Sequence, residues 1–182
     1  MNPLISANQL CLSQALELLE TLDQSSFTNK LPDCYDSSIG QHLRHCIDHY
    51  QSFLSGLPSR SVDYDHRDRD PRLESDLAYA VQTLSDLKRL LHELSAEVDD
   101  HEAVQIRMNA EGKEGWQGSS VGRELQFLIS HTVHHFALIG ILCHRQKIPL
   151  EKGFGIAPST LLHRKISEAV QSTSRDESQA IH

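Results

Sequence analysis

The sequence has no C-x-x-C pair. Its four cysteines, Cys11, Cys34, Cys46 and Cys143, are far apart, which excludes a zinc knuckle and a redox dithiol and leaves buried thiols as the simplest reading. It also lacks a Lys/Arg-rich stretch, and its formal net charge of -8 repels phosphate, so nucleic acid is not an expected partner. No unbroken apolar run approaches the ~18 residues of a membrane span. The N-terminal MNPLISANQLCLSQALELLE has no basic region ahead of its apolar residues and carries acids soon after them, unlike a signal peptide. A cytoplasmic protein with no membrane partner is expected. There is no internal repeat. With 182 residues, 38% hydrophobic and 23% charged, the chain is long and apolar enough for one globular domain.

What the chain has instead is helical periodicity and histidine. Leu4, Leu10, Leu12, Ala15, Leu16, Leu18 and Leu19 fall at helical spacing and predict a first helix from about Pro3 to Asp23, followed by a polar turn, DQSSFTNKLPD. A second helix is expected from an N-cap at Ser37 or Ser38 to the Gly56-Leu57-Pro58 stop. The stretch SRSVDYDHRDRDPR is too charged for a core and reads as a loop. From Leu73 the spacing of Leu77, Ala80, Val81, Leu84, Leu87, Leu90, Leu91 and Leu94 describes a long third helix ending at Asp99-Asp100. Alternation at Val104, Ile106 and Met108, followed by glycines, predicts a short hairpin or irregular excursion. A fourth helix opens at Ser119 or Ser120 and runs to about His144 or Gln146, with Pro149 closing it. Gly153, Gly155 and Pro158 then force a loop, and Ser159 or Thr160 caps a last short helix. The expected architecture is all-α: a four-helix bundle over residues 1–165, with 166–182 a polar, disordered tail.

Six of the twelve histidines crowd into two windows. In FLISHTVHHFALIGIL, His131 and His135 stand four residues apart and project from nearly the same side of a helix, where one metal ion reaches both. Phe127, Leu128, Leu138 and Leu142 share that side, which should look into the bundle. The Glu that follows the first His in helical zinc peptidases is replaced by Thr132, which disfavours a protease of that type. Against the metal stands the plain reading of core histidines satisfied by backbone or carboxylate, about as common for H-x-x-x-H alone. In GQHLRHCIDHY, His42, His45 and His49 occupy one side of the second helix, and helical geometry does not choose among them. His134 projects to the other side and reads as a neighbour rather than a ligand. Glu124 returns to the ligand face and is a candidate to orient a histidine or hold a water, with a salt bridge the commoner role; Asp48 has the same standing.

The pattern S-x-G-x-x-L-x-H in the second helix, read at Ser38, Gly40, Leu43 and His45, together with H-x-x-x-H at His131 and His135, resembles the DinB-like (damage-inducible) superfamily of metal-binding four-helix bundles. The resemblance spans roughly residues 5 to 147, and GQHLRHCIDHY, YDHRDRD, RELQFLISHTVHH and FGIAPST are similar to phrases of a bacterial branch. It implies a site of one His from the second helix and two from the fourth: His45, His131 and His135, with His42 and His49 as contenders. Such a set suits a divalent ion, Zn, Ni or Fe(II), and leaves coordination positions open. The resemblance further implies a metal-dependent enzyme: a transferase or isomerase using a low-molecular-weight thiol, a hydrolase, or an iron-dependent enzyme of sulfur–carbon bond formation. The second domain that accompanies the last class is not expected here. The alternative is a non-catalytic metal-binding or stress-response bundle, working as a homodimer. Arg67 or Arg69 in the charged loop is a candidate contact for an anionic substrate, with a solvated surface the commoner reading. FGIAPST is a candidate lid, and Trp116 an anchor for the excursion or a ligand contact.

Overall fold

The computed structural model describes residues 2–94, 98–108, 115–157, 160, 161, 163, 164, 166 and 167. In chain order its elements are α1 (Pro3–Glu20), α2 (Gln24–Thr28), α3 (Ile39–Gly56), β1 (Ser61–Asp63), α4 (Arg72–Ser75), α5 (Leu77–Leu94), β2 (Ala103–Arg107), β3 (Gln117–Ser120) and α6 (Val121–Gln146). The four long helices form the bundle: α1 packs on α5 and α6, and α3 packs on α6 and α5. Their inward faces bury Ile5, Leu12, Leu43, Ile47, Phe53, Leu84, Leu91, Leu125, Leu128 and Ile139 in one core. Helix α6 alone among the described residues is long and apolar enough to cross a membrane, by length and composition. In the bundle it packs against both α1 and α3.

Local chemistry sets the ends of these helices. Ser38 caps α3 in a reciprocal box: its hydroxyl accepts from the Gln41 backbone N–H, and the Gln41 side chain accepts from the Ser38 N–H. Ser120 caps α6, and Lys147 ends it in the left-handed region at φ 59°. The expected first helix stops at Glu20, because Asp23 turns to cap α2, accepting from the Ser26 backbone N–H at 2.7 Å. The polar turn predicted there contains the short helix α2, which places Phe27 wholly inside.

The expected third helix is broken. Asp76 lies in extended conformation (φ -129°, ψ 104°), ends α4 and accepts from the Tyr79 N–H at the start of α5. Its short side chain competes with the helix for backbone donors, which is why the apolar spacing ran through the break unseen.

The charged stretch after α3 is the larger departure from expectation. Val62 and Tyr64 are buried, and β1 pairs in parallel with β2, Val62 opposite Ile106. β2 pairs antiparallel with β3, Val104 opposite Ser119, so the predicted excursion is a hairpin extended to a three-stranded sheet. Residues 109–114 lie outside the described residues, as does nearly all of the predicted polar tail. The described residues among 160–167 are helical.

Gly40 is the position where α4 crosses α3. A β carbon there would stand 2.5 Å from the Glu74 carbonyl oxygen and 3.0 Å from the Phe27 ring. Replacing Gly40 with alanine is expected to destabilise the fold by about 1–3 kcal/mol, because backbone rather than a flexible side chain must yield. Urea unfolding measures it; an unchanged midpoint and slope would show that α4 moves aside freely.

Candidate metal centre

Helices α3 and α6 face each other, and their contact carries both histidine windows. The buried stripe of α6 runs through Leu125, Leu128, Thr132, Phe136, Ile139 and Cys143. His131 and His135 each precede a stripe residue, so both sit half-buried at its rim rather than within it. His45 occupies the matching place on α3, one residue before buried Cys46. Ring nitrogens of His45, His131 and His135 lie within 4.8 Å of one another, so this group could hold a metal ion.

The closest approach is between His45 Nε2 and His131 Nε2, 3.1 Å apart. Nitrogens bound at 2.0–2.1 Å to one tetrahedral zinc stand roughly 3.3–3.4 Å apart, so the pair is spaced as adjacent ligands are. His131 Nδ1 is buried with no hydrogen-bond partner among the described residues. Such an orphaned nitrogen costs about 1–3 kcal/mol if nothing meets that atom.

The two contenders on α3 take other roles. His49 is 3% exposed and both its nitrogens are engaged: Nδ1 lies 2.7 Å from the His45 carbonyl oxygen, and the Arg67 guanidinium donates to Nε2 at 2.8 Å. Because arginine only donates, Nε2 is the acceptor and Nδ1 carries the proton, which fixes the tautomer. The ring stands 4.0 Å from that of His131, centroid to centroid, and braces it. His42 Nδ1 lies 3.0 Å from His135 Nδ1, the position of a group that orients a ligand ring through its second nitrogen. His134 is exposed and touches only the edge of His135.

Electrostatics favours the neutral rings that bind metals. Burial, with repulsion from His49 and His135, lowers His45 to about 3. Burial, then His49, His135 and His45, takes His131 to about 3, and burial with His42 and His134 takes His135 to about 4. Cys11 and Cys143 do not compete as thiolates, because burial raises both to about 11.

Glu124 does not orient a histidine. It is 3% exposed, accepts from the Tyr64 hydroxyl at 2.9 Å and the Ser119 hydroxyl at 2.5 Å, and so ties the start of α6 to the sheet. Its effect on the site passes through Tyr64, whose ring stacks on His49 at 5.5 Å. The Tyr64 role was missed because its segment read as solvated; the V-x-Y alternation was the available signal. Asp48 is 4% exposed and lies off the triad, lining a cleft of about 1120 Å³ between α3 and α5 together with Arg67. Arg67 reaches His49, and no described contact joins Arg69 to the histidines. The FGIAPST segment packs on α6, Phe154 stacking on Phe136 at 4.7 Å. Gly155, at φ 68°, brings its backbone against Phe136 and Ala137 where a β carbon would be crowded at 3.1 Å. Pro158 and Ser159 lie outside the described residues, and Trp116 is 49% exposed.

Four long helices with a histidine triad at the rim of the core, contributed by two facing helices, define a helical bundle whose histidines could hold a metal ion. The chain belongs to the DinB superfamily, whose sequence profile matches residues 9–139. It is also 31% identical over 115 residues to "FK506-binding protein 5" of Rhizopus delemar, a match covering 60% of this chain and 30% of that protein. The chain thus spans under a third of the length of this curated relative, and what that name says of FK506 belongs to that protein. No solved structure matches the chain.

The histidine shifts set a pH window. In the unfolded chain these rings take up protons below about 6.5. In the folded protein His45, His131 and His135 resist until about 3 to 4. The unfolded state therefore binds more protons throughout that interval, and stability falls as pH drops through it. Thermal unfolding in chelator is expected to show a lower Tm at pH 5 than at pH 7.5, with a shallower dependence in His45→Asn. An equal Tm at both pH values would mean that the rings are not held neutral.

Proposed function

We propose that the protein is a metal-dependent enzyme acting on a small molecule, with His45, His131 and His135 as the ligands of a divalent ion, Zn, Ni or Fe(II). The observation that carries this reading is the convergence of three half-buried imidazoles at the rim of the core. Three protein ligands leave coordination positions for other groups, and a rim position gives those groups a path. The bound ion would supply a Lewis acid that lowers the pKa of a thiol or water brought to it. Within the chain, His49 and Arg67 brace His131, His42 orients His135, and the burial that keeps all these rings neutral preserves their lone pairs for the ion. A transferase using a low-molecular-weight thiol or a hydrolase is the reaction type proposed.

One observation favours the second reading, a non-catalytic metal-binding bundle: the triad does not line the large cleft between α3 and α5.

The purified protein is expected to carry about one divalent ion per chain, falling below about a tenth in His45→Ala, His131→Ala or His135→Ala and kept in His49→Gln. Elemental analysis checks this. Loss in His49→Gln with retention in His45→Ala would overturn the ligand set. Metal-loaded protein is then screened with low-molecular-weight thiols against electrophilic acceptors and with activated esters. Metal-dependent turnover abolished in His45→Ala supports the enzyme. A cobalt-substituted protein with a closed four-ligand spectrum and no turnover supports the bundle that only binds.

A further inference from the structure

The cleft between α3 and α5 joins an apolar wall to free polar groups, the combination by which proteins hold small molecules. Its volume is about 1120 Å³, and Leu54, Leu57, Leu87 and Leu90 form the wall. Its charges are already answered within the protein. Arg44, Arg67 and Arg69 act on buried Asp48, Arg89 pairs with Asp86 and Glu93, and Arg60 pairs with Glu102. The remaining acid, Asp68, stands in water at the rim. A charged ligand would have to break one of these pairs or shed its own water for no counter-charge. Two neutral side chains of α3 differ. Ser52 is 9% exposed and lines the cleft, yet its hydroxyl makes no hydrogen bond to a described residue and is not sealed from solvent. Elsewhere in the chain the helical Ser13, Thr83 and Ser85 turn their hydroxyls back onto the carbonyl four residues earlier. Ser52 does not, and its O–H is left for something in the cleft. The neighbouring Gln51 amide, on the same wall, is likewise unengaged among the described residues.

We infer that this cleft binds an uncharged amphiphile, an apolar body carrying an amide, whose carbonyl accepts from the Ser52 hydroxyl and whose N–H donates to the Gln51 side-chain carbonyl. Consecutive helix residues project about 100° apart, so the two side chains suit a head whose acceptor and donor sit on separate atoms. An ester or ketone answers Ser52 alone. The leucine wall takes the apolar body, and the matched charges exclude an acid or an amine of the same shape. The inference stands independently of the metal, because the triad does not line the cleft.

Isothermal titration of the full chain, both metal-loaded and metal-stripped, tests it with N-butyl-4-phenylbutanamide, its ester butyl 4-phenylbutanoate, 4-phenylbutanoate, 4-phenylbutylamine and N-methylacetamide. Saturable binding of the long amide is expected in both metal states. The acid, the amine and the short amide are each expected to bind more weakly by about tenfold or more, and the ester by about threefold or more. Ser52→Ala is expected to weaken the long amide about fivefold while the Tm is kept, because that hydroxyl bonds nothing in the fold. Leu90→Gln, at a position 40% exposed, is expected to weaken it as well. Absence of saturable binding of the long amide overturns the inference. So does an ester, acid or amine that binds as tightly, or an affinity unmoved by both substitutions. Binding lost when the metal is stripped would place the ligand on the histidines and overturn the cleft as its site.

Discussion

Neutral imidazole is the condition under which α3 and α6 can meet. Five rings, His42, His45, His49, His131 and His135, lie against one another with centroids 4.0 to 5.3 Å apart. A protonated ring in that group would face both desolvation and its neighbours' repulsion, so all are driven to the neutral form. A neutral imidazole has one donor and one acceptor, and the contacts can be counted. His49 is satisfied on both sides, His42 meets His135, and His45 meets His131. Among the described residues one buried ring nitrogen, His131 Nδ1, is left over. A cation between His45 Nε2 and His131 Nε2 would take a lone pair from each, where a hydrogen bond needs one of the two to carry a proton, and would leave Nδ1 of His131 as its protonated nitrogen.

The scaffold holds the two helices in the register that this meeting requires. Beneath the rings, the Tyr50 hydroxyl on α3 donates to Asn8 on α1 at 2.8 Å, and Asn8 donates to the Leu125 carbonyl on α6 at 3.1 Å. Thr132 on α6 closes the group with a 3.4 Å contact to the Tyr50 hydroxyl. A buried polar network of this kind loses several bonds at once if one helix slides by a turn, whereas leucine contacts re-form. From the other side, Glu124 gathers Tyr64 and Ser119, so the small sheet fixes the start of α6 and the Tyr64 ring fixes His49.

The long helices were legible because a single physical rule, apolar residues returning every third or fourth position, operates along their whole length. The ends were legible where a cap announces them, at Ser38 and Ser120. The motif around Gly40 also becomes intelligible: Ser38 caps, Gly40 admits α4, Leu43 enters the core and His45 faces α6. What stayed hidden depended on partners distant in sequence. Val62 and Tyr64 are two inward residues among charges, and only pairing with β2 tells which face they take. Asp76 breaks a helix that apolar spacing alone continues. The choice among His42, His45 and His49 was likewise beyond helical periodicity. His45 is the one grouped with His131 and His135, while Arg67, eighteen positions beyond His49, occupies that ring's Nε2.

Arg67 therefore joins two parts of the molecule that the sequence kept separate. Its terminal nitrogen sets the tautomer of a ring packed on His131, while the same side chain lines the cleft between α3 and α5. A guanidinium is rigid and planar, so the direction of one N–H fixes the direction of the others. A shift of the guanidinium at the cleft wall would therefore move the N–H donated to His49, and through His49 the ring of His131. A lysine in this place would offer a single charged point and could serve one side only. The charged loop, which by composition reads as solvent-facing, is thus the element through which the two faces of α3 are mechanically tied.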